Sequence, residues 1–284
     1  MPEYPDVTLY VEALERRLAG ARLIRMRLLH PFLLRTTDPP PDAFDGRSVE
    51  SVRRIGKQIA IGLEGSLFMV IHLMIAGRLR WADPLPGAGA PAGGDASEAV
   101  PAARERGAPR LPRRIVLASF EFTSGDLHFT EAGTRKRASL HLVRGEEGLA
   151  AIDRGGLELM EASPAEFRAA LLRENHTLKR SLTDPRLFAG VGNAYSDEIL
   201  HHARLSPFRQ SSQLTAIESE RLLESCRTVL LDWTERLRRE AAGAFPAKVT
   251  AFHKGMAVHG KYGQPCPACG APVQRIVYAE NECN

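Results

Sequence analysis

The sequence predicts an α+β protein in which a mostly β amino-terminal part is followed by a helical part and a small cysteine-bearing hairpin. Three observations carry this. From about residue 22 to 82, short apolar runs such as ARLIRMRLL, QIAIGL and LFMVIHLMIAG alternate with turn residues, the pattern of β-strands. Beyond Gly155 and Gly156, two capping boxes, Ser163-Pro164-Ala165-Glu166 and Thr215 with Glu218, announce helices. Cys266-Pro267-Ala268-Cys269-Gly270 closes the chain with a two-residue spacer that lets two thiolates face one tetrahedral ion.

In chain order, residues 5–19 read as a helix, with Val7, Val11, Leu14 and Leu18 at near-helical spacing and Gly20 as the stop. Strands follow to about residue 82. Residues 83–114 are rich in Pro, Gly, Ala and Arg and are predicted to be a flexible insertion between strands. IVLASFEFTSGDLHFT resumes as a hairpin around Ser124 and Gly125, and RASLHLV supplies another strand. The predicted divisions are 1–154 for the β part, 155–243 for the helices and 244–284 for the metal hairpin. The helix opened by Thr215 is expected to run to about Arg239.

Composition narrows the function classes. No run of about 18 apolar residues is present to span a bilayer. The start MPEYPDVTLY lacks the basic and then apolar order of a secretory signal, so cytoplasm or nucleoid is the expected location. A net charge of +4 and a pI near 9.0 favour an acidic partner. Residues 21–80 hold ten Lys or Arg against five Asp or Glu, gathered around Arg47, Arg53, Arg54, Lys57, Arg78 and Arg80. A nucleic-acid face and a solvated sheet edge both fit that patch.

Two further stretches could carry chemistry. Gly190-Val191-Gly192-Asn193 precedes a helix whose free amides suit a phosphate oxygen, with Asn193 adding a side-chain donor; a plain helix–helix turn fits as well. Pro2, once Met1 is removed, offers a secondary amine able to form an iminium at a sugar C1′. Glu3 beside it can serve as general acid or base, and Asp6 adds a carboxylate one helical turn later. A Pro-Glu pair is equally an ordinary helix start. For the cysteines, only Cys283 follows the knuckle, after thirteen intervening residues. His253 or His259 could complete a site, or the pair could be free thiols.

MPEYPDV, the Gly-Val-Gly-Asn-Ala-Tyr-Ser-Asp-Glu run and the late Cys-x-x-Cys together resemble the formamidopyrimidine-DNA glycosylase and endonuclease VIII family across nearly the whole chain. The resemblance implies a β-sandwich, a helix-two-turn-helix domain and a zinc-finger hairpin, with DNA between them. It implies Pro2 as Schiff-base nucleophile, Glu3 as the carboxylate assisting sugar opening, and Lys57 reaching the DNA near the lesion. Lys179 with Asn193 and Gly192 would hold phosphate, and Lys248 falls where the family places another basic contact. Structural Zn2+ would sit on Cys266 and Cys269.

The implied activity is base excision followed by β-elimination at an abasic site, on double-stranded DNA, by a monomer. Several positions depart from the family pattern. Asp6 stands where Glu is common, Ile75 stands where a Met wedge is usual, and Asn281 replaces an arginine of the finger. The second cysteine pair would fall about two residues past Asn284, which makes Cys283 a poor ligand. Two other readings remain open from the sequence: a non-catalytic damaged-DNA-binding protein on the same scaffold, and a zinc-ribbon module that binds RNA.

Overall fold

The computed structural model describes residues 1–84, 112–246, 249, 253–278 and 281–284. Most of the expected 83–114 insertion, and Lys248, lie outside the described residues. The chain opens with helix α1 (Tyr4–Leu18), whose Val7, Tyr10, Leu14 and Leu18 are buried on one face.

Eight antiparallel strands follow: β1 (Leu23–Leu28), β2 (Val49–Ile55), β3 (Gln58–Leu63), β4 (Leu67–His72), β5 (Gly77–Ala82), β6 (Val116–Phe122), β7 (Gly125–Glu131) and β8 (Ser139–Arg144). They form two four-stranded sheets in the orders β1-β6-β7-β5 and β2-β3-β4-β8. Leu79, Phe120 and Phe129 from the first sheet share one core with Ile59, Ile61, Met69 and Leu140 from the second, which makes the pair a sandwich. The alternate residues Ala60, Phe68, Val70 and Val143 are also buried, against Leu149 of the short helix α2 (Gly145–Ala150). Covering both faces of the second sheet explains why QIAIGL and LFMVI read as continuous apolar runs.

The helical part comprises α3 (Pro164–Leu172), α4 (Leu178–Thr183), α5 (Asn193–Ala203) and α6 (Ala216–Ala241) around Phe167, Phe188, Tyr195, Leu222, Leu230 and Trp233. Both predicted capping boxes are formed, Ser163 Oγ accepting from Glu166 N–H and Thr215 Oγ1 from Glu218 N–H, each at 3.2 Å. The two parts are joined at α1, where Arg238 of α6 is fork-bonded to Glu12 at 2.6 to 3.1 Å. Past α6 the chain returns to the sandwich, with Phe245 against Tyr10 and Trp81. A two-stranded hairpin, β9 (Ile276–Tyr278) and β10 (Asn281–Cys283), ends the chain. Among the described residues no helix is long and apolar enough to cross a membrane.

Candidate active site

Helix α5 begins after Gly192, a residue with no side chain to cap it, so its first amides need acceptors from elsewhere. Glu3 supplies them. Its Oε2 accepts from Gly192 N–H at 2.6 Å and Tyr195 N–H at 3.2 Å, and its Oε1 from Ala194 N–H at 2.9 Å. The expectation that these amides stand free for a phosphate is therefore corrected: the catalytic candidate itself occupies them. Two glycines make the approach possible. Gly190 has φ +83°, and its carbonyl accepts from Tyr4 N–H at 2.8 Å. A Cβ on Gly192 would lie 2.6 Å from Glu3 Cδ.

Pro2 is buried beside Glu3, and Met1 still precedes it. Met1 lines a cavity of about 280 Å³ together with Lys57, Gln58, His72, Arg154 and Gly190. Lys57 stands at the turn between β2 and β3. Burial pushes the Glu3 carboxyl above its ordinary range, against the opposing pull of Lys57 and the Ala194 and Gly192 amides. Burial likewise lowers the Lys57 ammonium, with Glu3 resisting. His72 falls to about 4, through burial first and the Lys57 charge second, and is neutral at physiological pH. The chain's terminal amine is lowered too, chiefly by burial. In and beside the cavity, burial thus shifts every one of these groups toward its neutral form.

The remaining predicted residues divide. Asp6 is buried and its Oδ2 accepts from Glu3 N–H at 2.9 Å, closing the first turn of α1 and fixing Glu3 from behind. Its other oxygen lies 3.9 Å from His253 Nε2. Asp6 thus braces Glu3 from within the first turn of α1. Lys179 Nζ donates to the Asn193 carbonyl and to Asp197 Oδ1, both at 2.6 Å, so its charge is met inside the protein. Asn193 is half-buried at the start of α5. Within the basic patch, Arg53 pairs with Glu146 at 2.5 Å. Arg54 pairs with Glu158 and lies over the Tyr4 ring at 4.4 Å, bridging sandwich and helices. Ile75 is 54% exposed, next to Met74 in a left-handed turn at φ +52°.

At the knuckle, Cys266 N–H bonds the Ala271 carbonyl and Gly270 N–H the Cys266 carbonyl, each at 2.8 Å. Cys266 Sγ lies 3.3 Å from His201 Nε2. The Ala268 amide, followed by His201, draws the Cys266 thiol down to about 7. Cys283 sits elsewhere, pushed up to about 11 by burial and by Asp197. Among the described residues no group of three or more His, Cys, Asp or Glu side chains is placed to hold a metal ion. Two thiolates are half of the four donors a structural zinc takes. The expected Zn2+ therefore has half a site among the described residues.

Sequence reasoning missed the partners. Asp197, Glu198 and His259 form a buried polar group behind the Gly192 turn. Two adjacent acids near a helix start were the one available signal, and their partner lies about sixty residues on.

Comparison with known proteins agrees with this architecture. The model of the formamidopyrimidine-DNA glycosylase N-terminal domain matches residues 1–138, and that of the H2TH domain of the same enzymes matches residues 158–239. A formamidopyrimidine-DNA glycosylase of Thermus thermophilus is 32% identical, over 98% of this chain and 94% of its own. One from Symbiobacterium thermophilum is 31% identical, over 99% and 86%. The solved Thermus thermophilus structure superposes with a TM-score of 0.73 at 29% identity, covering 99% of this chain and 96% of that one. A Lactococcus lactis structure bound to DNA with an abasic site has the same fold, with a TM-score of 0.79 at 23% identity and coverage of 99% and 96%. With relatives above 30% identity aligned along almost its whole length, the chain belongs to the formamidopyrimidine-DNA glycosylase family.

Proposed function

We propose that the chain excises oxidised or ring-opened bases from double-stranded DNA and cuts the strand at the resulting abasic site. The observation that carries this reading is the pinning of Glu3, beside Pro2, on the first amides of α5, next to a cavity lined by Met1, Gly190 and Lys57. Removal of Met1 converts the Pro2 nitrogen from an amide to a secondary amine at that cavity. The lesion nucleotide must leave the stack, because an amine at a helix start cannot reach C1′ inside an intact duplex.

The Pro2 lone pair attacks C1′, and the bond from C1′ to the base breaks with its electrons leaving on the base, which takes up the proton shed by the amine. The C1′–O4′ bond then opens as O4′ receives a proton from the Glu3 carboxyl, giving an iminium between Pro2 and C1′. That iminium acidifies the C2′ proton, whose loss expels the 3′ phosphate and cuts the strand. Burial raises the Glu3 carboxyl, which favours the protonated form that the opening step uses. Lys57 opposes that shift and faces the same cavity, where an incoming phosphate would meet its charge.

Borohydride trapping on a duplex with one abasic site tests this directly. The processed chain should form a covalent adduct, and Pro2→Gly should keep DNA affinity but lose the adduct. A glycine there still offers a primary α-amine, so equal trapping by that variant would show that the secondary amine of Pro2 is not required. Tight binding without any adduct in the parent would leave a binding protein on this scaffold. A panel of duplexes carrying single oxidised purines or pyrimidines then assigns the preferred lesion.

A further inference from the structure

Asp197 is buried on α5, one turn beyond Asn193, and both of its oxygens are engaged. Oδ1 accepts from Lys179 Nζ at 2.6 Å, and Oδ2 lies 2.8 Å from His259 Nδ1. Lys179 also donates to the Asn193 carbonyl at 2.6 Å. That carbonyl and the Ala194 N–H belong to one planar peptide unit. The N–H side of the plane is the donor that meets Glu3 Oε1 at 2.9 Å. A rigid plate thus links Lys179 on one edge to Glu3 on the other. Glu198, next along α5, accepts from the backbone N–H groups of Ala257, Val258 and His259 at 2.7, 2.9 and 2.9 Å. The segment bearing His259 is thereby seated on the helix that holds Glu3.

We infer that Asp197, oriented by His259, is a positioning residue that aims Glu3 through Lys179 and the Asn193–Ala194 peptide. This rests on Glu3 acting as the proton-transfer group. The physical argument has two steps. A carboxylate held between a lysine and a histidine, with the Cys283 thiol also bonded to it, fixes the lysine rotamer, and the lysine fixes the tilt of the peptide plane. The cation on the carbonyl also polarises the peptide, which strengthens the Ala194 N–H as a donor to Glu3. Loss of the relay weakens a bond that favours ionised Glu3, so the Glu3 pKa rises further. The other titratable groups facing Glu3 are Lys57 from the β2–β3 turn, Asp6 and, once Met1 is removed, the Pro2 amine from its own segment, and Tyr195 from α5, and none of them is substituted by changes at 197 or 259.

The test uses the full chain with Met1 removed, an abasic-site duplex at saturating enzyme, and borohydride-trapped adduct followed from about pH 5 to 9. His259→Phe should slow adduct formation about tenfold and move the pH limb of Glu3 upward, with DNA affinity within about threefold of the parent. His259→Asn, whose amide N–H can replace Nδ1–H on Asp197, should restore most of the rate and the parental limb. Asp197→Asn gives a second entry to the relay if His259→Phe does not fold, and should shift the limb in the same direction. Parental rate and limb in a folded His259→Phe would overturn the inference. So would equal slowing in His259→Phe and His259→Asn with an unmoved limb, or, without a folded His259→Phe, an unmoved limb in Asp197→Asn. Absence of adduct in the parent would instead sink the function proposed above, so the two failures are told apart.

Discussion

Helices α3 and α6 and helix α5 solve the same problem in opposite ways. Each begins with backbone N–H groups that have no partner within the helix. At α3 and α6 a Ser or Thr and a Glu three residues on bond each other's backbone, so the cap is complete within four residues. At α5 the capping position is Gly192, and the acceptor is a carboxylate 189 residues earlier in the chain. A local cap needs nothing from the rest of the fold and does one thing, which is to start a helix. A remote cap ties helix, cavity and carboxylate together, and it leaves that carboxyl buried with a raised pKa. The second arrangement costs desolvation of an acid and shifts that acid toward its protonated form.

The sharpest way to break this contrast is Glu3→Gln. The carboxylate receives N–H donors on both oxygens, so whichever way the new amide turns, its NH2 meets a donor. Adduct formation should fall by about 10² to 10⁴, the range for losing a positioned acid or base, while Pro2 remains in place. Trapping at the parental rate would show that the remote cap is only structural. Gly192→Ala attacks the same contact from the helix side. A Cβ 2.6 Å from Glu3 Cδ forces the carboxyl to move, and a shift of about 1 Å costs on the order of a hundredfold in rate. Single-turnover kinetics at saturating enzyme read the loss, and DNA affinity measured in parallel should change little.

The raised Glu3 pKa also makes a stability prediction. In the folded chain Glu3 holds its proton above its ordinary value of 4.5, so between that value and the folded pKa the folded state binds more protons than the unfolded one. Stability contributed by Glu3 is present below about pH 4.5 and is lost as the pH rises through the folded pKa. His72 acts with the opposite sign, since its folded value of about 4 lies under the ordinary 6.5 and its contribution grows with pH between the two. The parent therefore shows a sum, and the difference between parent and Glu3→Gln isolates Glu3. Denaturant unfolding at a series of pH values should show the parent losing stability relative to the variant as the pH rises. A constant difference would mean that Glu3 titrates alike in both states.

What could be read from the sequence follows the same division. The Ser163 and Thr215 caps, the Ser124-Gly125 hairpin and the apolar strand QIAIGL are local patterns, and local patterns are what a sequence displays. Pro2 and Glu3 could be read as a chemical pair or as an ordinary helix start, and the family resemblance was what favoured the first. The partners of Glu3 were not legible, since nothing in Gly-Val-Gly-Asn distinguishes amides that await a phosphate from amides already bound to a carboxylate. Lys179 was assigned to phosphate through the family resemblance, and its bond to Asp197, eighteen residues on, had no local signal. The basic patch shows the limit of counting charge, because Arg53 and Arg54 are met by Glu146 and Glu158 from about a hundred residues away.

The local caps supply the control and the smallest effect. Ser163→Ala removes the hydroxyl that accepts from Glu166 N–H at 3.2 Å and that donates to Glu166 Oε2 at 2.7 Å. Loss of a Ser cap costs about 1 kcal/mol of stability. Helix α3 packs through Phe167, Ala170 and Leu171 and lines neither the cavity nor the Gly192 turn. The variant should therefore unfold at lower denaturant concentration yet trap an abasic-site duplex at the parental rate. If Ser163→Ala slowed the adduct as Gly192→Ala does, the loss in both would trace to general stability, and the distinction between a local cap and a catalytic one would fall.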